Sequence, residues 1–285
     1  MFSNRYNTSG GEKMIKKDKD LWREASKKVN KSNDLIQRSR FNLSLQEQKI
    51  ILYLISQITP YDHEFKLYEF NIIDFCKVCG IDPDGGKNYR DIKAAIKTVA
   101  DQSVWIHINE DEETLLRWIE KPYINKNSGT IRIRLDEDMK PYLLELKANF
   151  TSYELIYTLR FRSKYTLRLY ELINSIHFRP LEEYVRTYDL EELKRLMGAE
   201  TYKTYQTFKT RALNMAVNEI NQYSDKNLRY EPVKQGRSVV AIRLYITSKN
   251  SMECLQLAVE TEKEFGWDQL SLWDNPYIES EGNDG

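Results

Sequence analysis

Between Lys203 and Asn218 the chain gathers side chains suited to reading hydrogen-bonding edges. Lys203, Gln206, Lys209, Thr210, Arg211 and Asn214 are interleaved with Phe208, Ala212, Ala216, Val217 and Ile220, and the apolar set recurs at helical spacing. If the apolar set packs inward on a helix over 204–222, the polar set is left for solvent or a partner. Arginine bonds bidentately to guanine O6 and N7, and Asn or Gln does the same to adenine N6 and N7, so this face suits a DNA major groove. Arg237, in a Gln235-Gly-Arg237 turn between two alternating stretches, and Lys203 ahead of the helix are placed for phosphates, where charge matters more than shape. A second stretch, over 88–103, repeats the pattern more weakly. Tyr89, Ile92, Ile96 and Val99 mark its inner stripe, and Arg90, Lys93 and Lys97 are its outward cations, diluted by Asp91 and Asp101.

Catalytic constellations do not form. His63, His107 and His177 are far apart, so the paired histidines and metal-supported tyrosine of a DNA-nicking enzyme are missing. Cys76-x-x-Cys79 is a single pair inside a predicted helix, where zinc would need two more ligands. Gly80 to Asn88 imitates a phosphate loop but carries an extra glycine, lacks the Ser/Thr that holds magnesium, and follows a helix instead of a strand. The run Glu110-Asp-Glu-Glu113 reads as a solvated loop. The expectation is a non-enzyme without cofactor or metal.

The elements that would position the polar faces come in order, twice. Asn71-Ile-Ile-Asp-Phe-Cys-Lys-Val-Cys-Gly80-Ile-Asp82 is echoed by Tyr188-Asp-Leu-Glu-Glu-Leu-Lys-Arg-Leu-Met-Gly198-Ala-Glu200, about 118 residues later. Each is a short amphipathic helix ending on glycine, followed by a turn (Pro83 to Gly86 in the first copy), a long helix and strand-like residues. Helix, turn, helix and hairpin is the order of a winged helix-turn-helix. The fold class expected is α+β, two tandem winged-helix domains. Structure is expected to begin near Asn42, with Ser44 and Glu47 forming a capping box ahead of Ile50, Ile51, Leu54, Ile55 and Ile58. The first wing is assigned to 104–108, 115–119 and 130–135, and a helix over 137–147 leads to the second unit, whose wing spans 228–234 and 238–247. The boundaries expected are a flexible basic arm (1–30), a first domain (31–150), a second domain (151–250) and an acidic tail (251–285).

The formal charge is zero, with 43 basic and 43 acidic residues, but the four segments carry +4, −2, +6 and −8. An acidic end thus cancels a basic second half, the asymmetry that accompanies nucleic-acid affinity. There is neither a signal-peptide pattern nor a long apolar run, and three cysteines suit a reducing cytoplasm.

Pro141-Tyr-Leu-Leu-Glu-Leu-Lys147, Phe150-Thr-Ser-Tyr153 and Ser163-Lys-Tyr-Thr-Leu-Arg-Leu-Tyr-Glu-Leu172 resemble the domain junction of plasmid replication initiators of the RepB/RepE type. Tyr205 to Leu213, Asn218-Glu-Ile-Asn221, Tyr230-Glu231 and Gly236-Arg237 are similar to that family's second domain. The resemblance implies a pseudo-twofold pair of winged helices that binds repeated origin sequences (iterons) as a monomer. It also implies an inverted-repeat operator bound by a homodimer in equilibrium with that monomer, with repression of the protein's own gene. A host replication initiator or replicative helicase is the implied partner, and a bacterial cytoplasm the implied location. Major-groove readout falls to the second domain, further DNA contacts and much of the dimer interface to the first. Arg168, in the Arg-Leu-Tyr motif, has two readings, a DNA contact or a structural residue pairing with a carboxylate near the domain junction. The competing reading is a dedicated tandem winged-helix repressor with no role in replication.

Overall fold

A computed structural model describes residues 21, 23–78, 86–125, 127–177 and 182–265. Most of the basic arm, the Pro83 turn, Cys79 and the last part of the acidic segment lie outside these residues.

Two of the longer helices are capped by serine. In α2 (Leu45–Ser56) the Ser44 hydroxyl accepts from the Glu47 N–H, and the Glu47 carboxylate accepts from the Ser44 N–H at 2.7 Å, closing the expected capping box. In α7 (Lys164–Ile176) Ser163 plays the capping role. The first unit then runs β3 (Tyr68–Asn71), α3 (Ile72–Val78), α4 (Gly86–Asp101), β6 (Tyr123–Asn125) and β7 (Thr130–Ile133). The second runs β9 (Tyr184–Asp189), α8 (Leu190–Met197), α9 (Tyr205–Phe208, Lys209–Leu213 and Asn214–Tyr223), β10 (Lys226–Gln235) and β11 (Ser238–Ser248). Their antiparallel sheets have matching orders, β3-β7-β6 and β9-β11-β10. Two winged helices in tandem, as expected, account for the architecture.

Three expectations are corrected. Structure begins well before Asn42: β1 (Lys28–Ser32) pairs antiparallel with β8 (Phe150–Glu154), α1 (Asn33–Gln37) follows, and Leu21, Ala25 and Val29 are buried. The end of the arm is therefore part of the first unit's core. The first wing is not one sheet. β4 (Ser103–His107) and β5 (Glu113–Arg117) form a hairpin that pairs with β2 (Ser39–Arg40), and only β6 and β7 form the wing beside α4. The helix expected over 137–147 is a 3₁₀ turn at Glu137–Met139 and a single turn, α5 (Lys140–Leu143). Leu144 is extended and Glu145 and Asn149 take φ of 51° and 52°, which ends helical geometry. The acidic segment, to which the sequence reading assigns no secondary structure, starts as a helix, α10 (Ser251–Phe265), whose Glu264 binds Arg160 at 2.7 Å.

The two units meet at α7. Glu171, 1% exposed, accepts from Lys31 Nζ of β1 at 2.5 Å and from the Tyr153 hydroxyl of β8 at 2.6 Å. Tyr153 and Phe161 pack edge-on against Tyr170 beside it. Burial pulls Lys31 below the ordinary lysine range and Glu171 opposes that shift, so removing the carboxylate would leave a buried cation uncompensated. Arg168 is buried as well, but it has no carboxylate partner among the described residues. Its guanidinium donates to the carbonyls of Leu196 (3.1 Å), Ile36 and Ser39 (3.4 Å each) and lies 4.5 Å from the centre of the Phe41 ring. It thereby stitches α7 and α8 of the second unit to the α1–β2 segment of the first. No described helix is long and apolar enough to cross a membrane.

Candidate nucleic-acid interface

The second unit's helix pair is held at every end. Asp189 caps α8 by accepting from the N–H groups of Glu191 and Glu192. Gly198 closes it in the left-handed region at φ 67°, where a Cβ would be strained. Thr204 then caps α9 by accepting from the Thr207 N–H at 3.1 Å. Phe208, Ala212, Leu213, Ala216, Val217 and Ile220 are buried, so the inner stripe read from the sequence is the one that packs.

The opposite face carries Lys203, Gln206, Thr210, Arg211 and Asn218, all exposed, with Lys209 half-buried. Among the described residues Lys203, Lys209 and Arg211 have no ion-pair partner. One local feature was not legible in the pattern. Lys209–Leu213 is a π-helical turn, in which the Asn214 N–H bonds to the Lys209 carbonyl. Such turns insert an extra residue into the helical ladder and are frequent at functional sites. Here the turn carries three of the expected contact residues, Lys209, Thr210 and Arg211. The Thr210 hydroxyl donates to the Gln206 carbonyl at 2.9 Å, so it presents a lone pair outward in preference to its proton.

Asn214 lies differently from the expectation. It is half-buried, and its Oδ1 accepts from the Tyr230 hydroxyl at 2.6 Å. Burial pushes the Tyr230 phenol up to about 12. Asn214 therefore ties α9 to the wing, and its carbonyl oxygen is already engaged. Asn221 repeats this link lower down, exchanging two hydrogen bonds with the Leu228 backbone. Lys249 donates to the last carbonyls of α9, at Asn221 and Ser224. The wing is thus locked against its helix.

Within the wing, Arg229 stacks on Tyr245 at 3.4 Å and pairs with Glu183 at 3.2 Å, while Tyr245 donates to Glu231. These residues stiffen the β10–β11 ribbon. The register shifts between Val233 and Lys234, and the tip turns at Gly236 with φ 62°. Arg237 and Lys234 are exposed at this tip without an ion-pair partner among the described residues. Lys234 is a wing cation that the sequence reading passed over.

The first unit assembles the same parts with less free charge. Ile92, Ala95, Ile96 and Val99 form the buried side of α4, and Arg90, Lys93 and Lys97 are exposed. Lys97 pairs with Asp101 one turn on, and Arg90 sits 3.8 Å from Asp91. Lys93 alone of the three has no partner among the described residues. The β6–β7 wing is short, with Arg132 lying over Tyr123.

The remaining reactive groups are dispersed. His63 meets Glu145, His107 meets Glu113, and His177 follows the end of α7. Cys76 is buried in α3, where desolvation pushes its thiol up to about 11 and leaves it unreactive. Among the described residues there is no cluster of three metal-ligating side chains.

Comparison with known proteins agrees with this geometry. Residues 28–174 match a family model described as the first winged-helix domain of an initiator replication protein, and residues 189–246 match that of the second. The first match begins at β1, in keeping with the β1–β8 pairing. Among solved structures, the Pi initiator protein in complex with iteron DNA has a similar fold, with a TM-score of 0.66 and 20% identity, over 80% of this chain and 99% of that one. The order of two winged helices, the matched spans and the paired cationic helices lead to one conclusion: this chain belongs to the initiator replication protein family.

Proposed function

We propose that the protein binds iteron-type repeats of duplex DNA at a replication origin and starts plasmid-type replication from them, without being an enzyme. The observation that carries this reading is the outer face of α9. Lys203, Lys209 and Arg211, unpaired among the described residues, lie with Gln206 and Thr210 on a rod the width of a major groove, beside a wing whose tip carries Lys234 and Arg237. The fold shared with a protein solved on iteron DNA supports it. In this reading α9 reads bases, Arg237 holds a phosphate, and α4 adds weaker contacts in a neighbouring groove. The same surface on a homodimer would meet an inverted-repeat operator and repress the protein's own gene, and a host initiator or replicative helicase would be recruited to the opened origin in the bacterial cytoplasm.

Footprinting on the DNA that flanks the gene tests the reading. Several evenly spaced direct repeats beside an AT-rich tract are the expected result. Protection of a lone palindrome would reduce the protein to a repressor, and no protection would remove the reading altogether.

A further inference from the structure

We infer that the cleft between the two units is an anion site, in which Arg40 and Arg195 hold a phosphate group. The cleft is a cavity of about 390 Å³ bounded by β2, the segment after it, the start of α7 and the α8–α9 turn. Arg40, Lys164, Arg168 and Arg195 line it, against a single carboxylate, Glu200. Arg168 forms a buried floor already saturated by carbonyls on one edge, and Lys164 donates to Asn42 at 3.0 Å. The side chains of Arg40 and Arg195 have no ion-pair or hydrogen-bond partner among the described residues.

Both guanidinium-bearing residues line the same cleft. Burial first, then the charge of Arg40, lowers the Arg195 pKa against the raising effect of Glu192 and Glu200. Both arginines also line a second opening of about 600 Å³ on the β4–β5 side, which makes them a shared wall between two solvent-accessible spaces. Arg40 is exposed and Arg195 half-buried. The nearby carboxylates Glu192 and Glu200, with Glu110 on the rim of the second opening, do not offset what burial and Arg40 do to Arg195, so a further anion would be favoured there. Guanidinium forks match phosphate oxygens bidentately. Ser39, which also lines the cleft, is 1% exposed, and its hydroxyl has no hydrogen-bond partner among the described residues. The cleft is set apart from the α9 face, and its lining residue Thr201 lies two positions before Lys203 in the chain. Its phosphate could therefore belong either to a DNA backbone crossing between the two helix pairs or to a free anion.

Full-length wild type, Arg40→Gln, Arg195→Gln and Arg195→Lys, which keeps the charge but loses the fork, separate the sources. One arm follows thermal unfolding in inorganic phosphate against chloride of equal ionic strength. The other measures binding to a random-sequence duplex as a function of salt. In chloride both glutamine variants are expected to melt no lower than wild type, because a like-charge contact is relieved. If the anion is free, phosphate raises the wild-type Tm, raises that of Arg195→Lys less, and leaves the glutamine variants unmoved. If it is a DNA phosphate, inorganic phosphate does nothing and each glutamine variant lowers the slope of log K against log salt by about one. Glutamine variants identical to wild type in both arms would overturn the site. A wild type that ignores duplex DNA yet responds to phosphate would instead sink the proposed function and leave the cleft standing.

Discussion

The two winged helices share one plan and differ in how much charge they leave uncommitted. In the second unit the long helix presents Lys203, Lys209 and Arg211 unpaired among the described residues, and its ten- and eleven-residue wing strands end in free cations. In the first, α4 neutralises Lys97 with Asp101 and places Asp91 beside Arg90, and its wing strands are three and four residues long. Residues between the long helix and the wing have gone in the first unit to a separate hairpin, β4–β5. Same topology therefore does not mean same duty. A cation already paired on its own helix gains little from a phosphate, because the new contact replaces an old one.

That contrast concerns surfaces, and it presupposes that the halves stand or fall together. The Lys31–Glu171–Tyr153 cluster is where this can be broken. Glu171→Leu strips from a buried lysine its one ion-pair partner among the described residues, at the joint of β1, β8 and α7. A loss of about 3–5 kcal/mol in denaturant unfolding is expected, in one transition that takes both units. Loss of the first unit alone, with the second melting as in wild type, would show two independent domains.

The next largest effect compares the helices themselves. Arg211→Ala should weaken binding to a cognate site by about 1–3 kcal/mol while changing affinity for random duplex far less. Lys93→Ala, the matching truncation on α4, should cost less than Arg211→Ala on the same DNA. Equal losses in a titration of both variants would erase the division of labour between the units.

Much of this contrast was readable in the chain. Caps and punctuation are local, so Ser44 with Glu47 and Gly198 announced their helix ends before any fold was known. The buried stripe of α9 also followed from spacing alone, and Asp91 and Asp101 signalled the weaker first face. What escaped depends on distant partners. Lys28–Ser32 is too short and too polar to read as a strand, and becomes one because Phe150–Glu154 lies beside it. Strands β4 and β5 alternate as a wing would, and only Ser39–Arg40 draws them into another sheet. Over 137–147 the apolar spacing is helical, but Pro141 removes one amide donor and positive φ at Glu145 and Asn149 breaks the path. The π turn at Lys209–Leu213 has no compositional mark at all. Asn214 was assigned to the outer face because an unbroken helix puts it there; a half-buried contact with Tyr230 places it against the wing instead.

Helix caps offer a smaller and cleaner comparison, because both short helices carry one. Asn71 Oδ1 accepts from the Ile73 N–H at 2.8 Å, and Asp189 Oδ1 from the Glu191 N–H at 2.9 Å. Each truncation to alanine should cost about 1 kcal/mol of stability. The two should part company in salt, since only Asp189 adds a negative charge at a helix N-terminus. Thermal unfolding of both variants across a salt series reads this directly. A salt-dependent deficit confined to Asp189→Ala is expected, and identical salt profiles would mean that its charge contributes nothing there.

The wing tip is where the smallest effect should appear, and its form matters more than its size. Arg237 sits beside a glycine turn, exposed and unpaired among the described residues, with no fixed geometry that could read a base edge. A contact of that kind is electrostatic. Arg237→Ala should therefore weaken specific and random duplexes by the same factor and lower the salt slope by about one. Lys234→Ala, from the same tip, should behave alike. Were Arg237→Ala instead to spare random DNA and penalise only the cognate site, the wing would be reading sequence, and recognition in the second unit would be divided between α9 and the ribbon that Asn214 and Asn221 hold against it.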